Sequence, residues 1–268
     1  MINKPKRLIA MSDLHGCHTV FLKLLEKVNY DPEADQLILL GDYTDRGLES
    51  KALLEEINGL KQKYGIITVL GNHDQMILDC FESHHPEHWA YWIFCGGAKM
   101  LESYHPVDWE HYLRHPLQEL LPIRDYIRSH YPHHVELLRD CVLSYESKKH
   151  FFVHAGLHPI LGRNTSKYDM LWIREPFLAN PNPIDKTIIF GHTPTHRYHQ
   201  SDCTDIWIGE NRICIDGGAA YGKMMHALVI SEEETRYEVV SVPHDYHYVR
   251  SVYRDQTIHN PWKQLISK

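Results

Sequence analysis

Ser12-Asp13-Leu14-His15-Gly16 and Gly41-Asp42-Tyr43-Thr44-Asp45-Arg46-Gly47 decide how this chain is read. Each follows a short apolar run: Leu8-Ile9-Ala10-Met11 before the first and Leu37-Ile38-Leu39-Leu40 before the second. The arrangement recurs three more times. Ile66-Ile67-Thr68-Val69-Leu70 leads into Gly71-Asn72-His73-Asp74, Phe151-Phe152-Val153 into His154-Ala155-Gly156, and Ile188-Ile189-Phe190 into Gly191-His192. Short β-rich runs bounded by glycine are strand signals. Asp, Asn and His therefore recur where strands end, which is where open α/β sheets place their sites.

Between these strands the spacing predicts helices. Val20, Leu24, Leu25 and Val28 share one face over 18–28, closed by Asp31-Pro32, and Leu53, Leu54, Ile57 and Leu60 share one over 48–64. The resulting βαβαβ order predicts parallel strands with crossover helices. A further helix is expected over 74–81, with Asp74 as its N-cap. Residues 84–141 read as a helical, aromatic-rich insertion divided by five prolines. Trp109, Leu113, Leu117, Leu120 and Leu121 suit one face of it, and it serves either as a cap or as a structural layer. Later segments read as hairpins, at 142–145 with 150–153, at 205–208 with 212–215 around Gly209-Glu210-Asn211, and at 227–231 with 235–242. A polar, mobile loop is expected at 158–169.

The five motifs, in order from residue 12 to residue 192, resemble those of the phosphoprotein phosphatases within the calcineurin-like metallophosphoesterases: GDxHG, GDxxDRG, GNHD/E, HAG and GH. Ser12 in place of glycine is the one departure, and a small residue is expected to be tolerated there. The resemblance implies an α/β fold, a four-layer α/β/β/α sandwich with a helical insertion, and a hydrolase with two divalent metal ions. It implies a metallophosphoesterase domain over 1–245, with the insertion or cap at about 84–141 and a C-terminal extension of unassigned role at 246–268.

It further implies that Asp13, His15 and Asp42 bind one metal and that Asp42, Asn72, His154 and His192 bind the other, with Asp42 bridging. Mixed nitrogen and oxygen donors suit manganese, iron or zinc rather than calcium, with manganese placed first. His73 would protonate the leaving oxygen while Asp45 holds its ring. Arg46 would grip phosphate oxygens. Arg174 would join it, with Arg163 and Arg197 as competitors. A lone Asp or His at a strand end is more often a cap or a solvated loop residue; six donors at six matching places are not. His18, His158 and His196 match no motif and are read as non-ligands.

Phosphate esters hydrolyse extremely slowly unaided. A metal pair answers that by activating a water as hydroxide and holding phosphoryl oxygens. Arg46 beside Asp45 points to a terminal phosphoryl group and so to a phosphomonoester or an anhydride. Gly217-Gly218-Ala219-Ala220-Tyr221-Gly222 looks like bacterial members of the family. The first reading is a serine/threonine-type protein phosphatase and the alternative a diadenosine tetraphosphate hydrolase. A silent metal-binding scaffold would have lost a ligand or His73, and none is lost.

Composition sets the bounds. A chain of 268 residues, 43% hydrophobic and 24% charged, suits a globular domain with a full core. A formal net charge of −7 disfavours a nucleic-acid partner. Six cysteines without CxxC spacing read as free thiols, and with no long apolar segment the expectation is a cytoplasmic protein without membrane attachment. Nine of its 22 histidines lie between His84 and His134, and scattered surface positions are expected for them. Nothing in the sequence specifies self-association.

Overall fold

Strand β1 (Arg7–Met11) is the centre of a five-stranded sheet in the computed structural model, which describes residues 5–199 and 201–244. It pairs in parallel with β2 (Asp35–Leu39), which pairs in parallel with the two-residue β3 (Ile67–Thr68). Two helices make the crossovers, α1 (His18–Lys27) and α2 (Ser50–Tyr64). Helix α2 ends at Gly65, whose φ of 67° closes the last turn through a bond from its N–H to the Lys61 carbonyl. The expected βαβαβ unit is present. The expected extension 246–268 lies outside the described residues.

All three expected hairpins form, and the second sheet adds parallel pairings that the expectation did not include. Strands β4 (Ser144–Glu146) and β5 (His150–Val153) form the anticipated hairpin. Strand β5 then pairs in parallel with β6 (Thr187–Phe190), and β6 in parallel with β8 (Arg212–Cys214). Strand β7 (Trp207–Gly209) pairs antiparallel at the edge. Gly209 ends that strand, so the turn is Glu210-Asn211, with Asn211 in the left-handed region at φ 52°. Strands β9 (Met224–Ser231) and β10 (Tyr237–Pro243) return to the first sheet beside β1.

Alternation along the strands explains the layering. Leu8, Ala10, Ile38, Leu40, Leu228 and Ile230 of the first sheet meet Phe152, Ile189, Ile213 and Ile215 from the other half of the chain in one apolar layer. Ile9, Met11, Leu37 and Leu39 face the other way, onto α1 and α2. Phe151, Val153, Ile188 and Phe190 likewise face outward, onto a third cluster. Strands buried on both faces are what parallel sheets require.

Helix α3 (Asn72–Glu82) starts two residues earlier than expected, so Asp74 is its third residue and not its N-cap. The insertion forms α4 (Pro86–Trp92), α5 (Ala98–Tyr104), α6 (Trp109–Arg114), α7 (Pro116–His130) and α8 (Pro132–Arg139). Pro86, Pro116 and Pro132 open helices, where a missing N–H is harmless. The break at Pro116 splits the single face expected for Trp109 to Leu121: Leu120 is buried while Leu113 is 53% exposed. Most of the insertion is packing, since Trp89, Met100, Leu101, Ile123 and Leu138 share the core that α1 and α2 build. Its histidines are not all scattered at the surface: His85 pairs with His88 and His111 with His115, ring centroids 5.6 and 5.1 Å apart, and His133 and buried His134 both meet Glu55 Oε2, at 3.1 and 3.0 Å.

Residues 158–169 are not all loop, because α9 (Lys167–Trp172) begins within them, N-capped by Ser166; α10 (Glu175–Leu178) and α11 (His196–His199) follow. Among the described residues no helix is long and apolar enough to cross a membrane.

Candidate metal centre and active site

The five motif loops meet at the strand ends. Six of the nine described non-glycine residues with positive φ lie in them: Asp13 (52°), His15 (39°), Asp42 (56°), Asp45 (71°), Arg46 (63°) and His192 (69°). Such backbone persists only where the surroundings enforce it, and it clusters at functional sites. Two glycines make the loops' close approach possible. A methyl on Gly71 would lie 2.2 Å from Asp42 Oδ1, and one on Gly191 would lie 1.8 Å from Ser12 Oγ. Asp74, buried, accepts from the N–H groups of Asp42 (2.7 Å), Tyr43 (3.0 Å) and Gly71 (3.0 Å), tying the second loop to the third. Ser12 is accommodated: its hydroxyl donates to Asp13 Oδ2, which also accepts from the His192 N–H at 2.9 Å.

Asp13, His15, Asp42, Asn72, His154 and His192 are all buried here. The donor atoms form two groups that share Asp42: His15 and His73 on one side, Asp13 and His154 on the other. His15 Nδ1 donates to the Thr44 carbonyl (2.7 Å) and His154 Nδ1 to the Leu40 carbonyl (2.7 Å). A carbonyl can only accept, so the Nε2 lone pair of each neutral ring points inward. His15 Nε2 then faces Asp42 Oδ2 at 3.3 Å. His154 Nε2 faces Asp42 Oδ1 at 3.5 Å and Asn72 Oδ1 at 2.9 Å. His192 Nδ1 lies 2.8 Å from the same Asn72 oxygen, and its Nε2 is buried without a partner.

Burial holds the His15 and His192 imidazoles below their usual pKa, His192 well below. Burial alone would push Asp42 up, but positive charge on His154, His73 and His15 would hold its carboxyl well below the usual range. Buried lone pairs facing one another, with an ionised carboxylate between them, call for a cation. The imidazole, carboxylate and amide donors fit divalent ions of the manganese, iron and zinc kind.

Beside this cluster His73 Nδ1 donates to Asp45 Oδ2 at 2.7 Å. Burial pushes both members of the pair toward their neutral forms, the His73 imidazole down to about 4 and the Asp45 carboxyl up to about 7. Asp45 also accepts from the Trp92 indole N–H, at 3.1 and 3.0 Å to its two oxygens. The Arg46 guanidinium donates to His73 Nε2 at 2.7 Å and to His15 Nε2, and lies 5.2 Å from the centre of the Tyr221 ring.

Arg174 is exposed, and its Nε donates to the Thr193 hydroxyl (3.1 Å), next to His192. Its competitor Arg163 is bound elsewhere, to Glu146 and Asp185. Trp172 lies edge-on to His192, with ring centroids 6.0 Å apart. From there a cleft of about 980 Å³ runs between α3, α4 and α9, lined by Met76, Tyr91, Trp92, Tyr168 and Trp172, with Asp79, Glu82 and Lys167 on its walls.

Residues 6–215 match the model of the calcineurin-like phosphoesterases. The chain belongs to that family. Serine/threonine-protein phosphatase 2 of Salmonella typhimurium is 30% identical to this phosphoesterase, over 76% of its chain and 87% of the relative. An asymmetrical bis(5'-nucleosyl)-tetraphosphatase of a Geobacillus species is 26% identical, over 91% of this chain and 97% of the relative. The solved structure of a putative diadenosine tetraphosphatase superposes with a TM-score of 0.60 at 20% identity, covering 91% of this chain and 96% of that one, which speaks to fold alone. The phosphoesterase is thus a hydrolase of a metal-dependent family.

One contributor to the site, Trp92, had no motif to announce it; another, Asp74, closes the third motif but carried no site role in the sequence reading. Trp92 reads in sequence as one more aromatic of the insertion, and Asp74 reads as a helix cap. A carboxylate placed directly after Gly71-Asn72-His73 is the only signal for Asp74.

Proposed function

We propose that this phosphoesterase hydrolyses phosphoserine and phosphothreonine monoesters in proteins. Asp13, His15 and Asp42 would hold one divalent ion and Asp42, Asn72, His154 and His192 the other. What supports this is buried Asp42, shared by two groups of converging donors; the groups divide differently from the proposed ligand sets, His73 standing with His15 and Asp13 with His154, while Arg46 donates to His73 Nε2. When bound, the ions supply Lewis acidity for water activation and offset phosphoryl charge. Arg46 turns from His73 Nε2 to the phosphate oxygens, and Arg174 approaches them from the mouth of the site. His73 Nε2 is then free to carry the proton that goes to the leaving oxygen. Asp45 fixes the Nδ1–H tautomer this requires and supports the imidazolium.

The cleft is lined by Asp79, Glu82 and Lys167, and Glu82 is already paired with Arg139 at 3.1 Å, which leaves Asp79, among the described residues, as its carboxylate without an ion pair. A carboxylate there suits a peptide with basic residues better than a chain of four phosphates. The aromatic walls favour a second reading, a dinucleoside polyphosphate whose base stacks on Tyr168 or Trp172.

The experiment is kcat/KM of the manganese-loaded protein on a phosphoserine peptide, nitrophenyl phosphate and diadenosine tetraphosphate in parallel. The peptide is expected to equal or exceed the dinucleotide. A dinucleotide ahead by about a hundredfold or more, the discrimination a dedicated polar site achieves, would replace the first reading by the second. No cleavage of any substrate with manganese, iron or zinc would sink both.

A further inference from the structure

We propose that Trp92 is a positioning residue for the proton donor, acting through Asp45, so that the helical insertion is a working part of the active centre. This rests on the reading of His73 as the acid.

Asp45 is fully buried, and among the described residues two side chains reach its carboxylate: His73 at Oδ2, and the Trp92 indole across both oxygens. An N–H shared by both oxygens fixes the plane of the carboxylate, and that plane sets the direction in which Oδ2 points at His73 Nδ1. The indole is itself held tightly. Trp89 packs against it with ring centroids 5.8 Å apart and Phe81 edge-on at 6.4 Å. Gly97 lies so close that a methyl there would be 2.4 Å from Trp92 Cε2.

The chain then makes a wide turn over Ile93–Gly97, in which Gly96 adopts φ 120°. The Gly96 carbonyl accepts from the Arg46 N–H at 3.0 Å. One short segment therefore grips Asp45 by its side chain and Arg46 by its backbone. Both of these residues are left-handed, a conformation that needs such support. A displacement of about 1 Å in such a group can cost ~100-fold in rate.

A buried tryptophan also needs a hydrogen-bond partner for purely structural reasons, so the test must separate packing from positioning. Trp92→Phe keeps the ring and removes the N–H. In the manganese-loaded full-length protein it is expected to retain both metals. Its kcat on phenyl phosphate, a poor leaving group, should fall roughly tenfold, the usual effect of losing a supporting hydrogen bond. On nitrophenyl phosphate the fall should be less than about threefold, because a good leaving group needs little protonation. In an Asp45→Asn background, adding Trp92→Phe should change kcat by less than about twofold, because the two residues act as one unit.

Equal losses on both substrates, or losses that multiply in the Asp45→Asn background, overturn the proposal. If Trp92→Phe does not fold, Gly97→Ala carries the test, since its methyl displaces the indole from Asp45; the same leaving-group selectivity is expected, and an even loss refutes it. His73→Asn on the same two substrates separates the two levels. If that variant is itself unselective, the acid assignment fails. If it is selective and the Trp92 and Gly97 variants are not, only the role of Trp92 fails.

Discussion

Asp42→Asn is expected to remove bound metal and turnover together. Asp42 is the one residue shared by both donor groups, with Oδ2 toward His15 and Oδ1 toward His154. Its carboxyl sits well below the usual carboxylate range. An amide brings one acceptor oxygen and no charge, so neither ion retains the anion between them. The change is mild for the fold, because the retained oxygen still accepts from the His73 N–H that Oδ1 meets at 2.9 Å. We expect kcat/KM to fall about a thousandfold or more, roughly 4 kcal/mol of transition-state stabilisation. Elemental analysis after dialysis reads the metal and steady-state kinetics reads the rate. Two tightly held ions with wild-type turnover would end the assignment of Asp42 as a bridge.

His73→Asn should behave differently, keeping both ions while losing most turnover. His73 meets Asp45 and Arg46, and its backbone N–H braces Asp42. The backbone contact survives the substitution, and so should the metal centre. General-acid catalysis contributes about 10²–10⁴-fold, and losses of that size are expected for alkyl and peptide phosphoesters. The loss should shrink with a leaving group as acidic as nitrophenol. The discriminating plot is log kcat against leaving-group pKa. It should steepen in the variant, and an unchanged slope would mean that His73 does not deliver the proton.

The five loops were legible because each is a local event, an apolar run followed at once by glycine and a charged or imidazole side chain. Their convergence, with Asp42 shared, follows from parallel strands ending on the same side. Less visible was the parallel pairing of β5, β6 and β8. A crossover normally announces itself as a long amphipathic helix. Here the path from β5 to β6 uses α9, of six residues, and α10, of four, too short to show a period. The insertion's single face failed because Pro116 starts a new helix at a new rotation. Trp92 was invisible for another reason. Its partner Asp45 is 47 residues away, and nothing local distinguishes a tryptophan that only packs from one that also holds a carboxylate.

The inward-facing lone pairs and the six left-handed residues also bear on folding. Without a cation, the folded chain must tolerate buried acceptors set against one another on backbone it does not favour. The unfolded chain bears neither burden, so a divalent ion held there would act as a folding ligand as well as a reagent. Free ion at about 100 times its dissociation constant adds roughly 2.7 kcal/mol per site to stability. The melting temperature should therefore climb with manganese in the wild type and stay flat in Asp42→Asn; a flat wild-type response would show that the fold is indifferent to the ion. For this protein, metal scarcity would then lower abundance as well as rate, because the apo chain spends more time open to proteolysis.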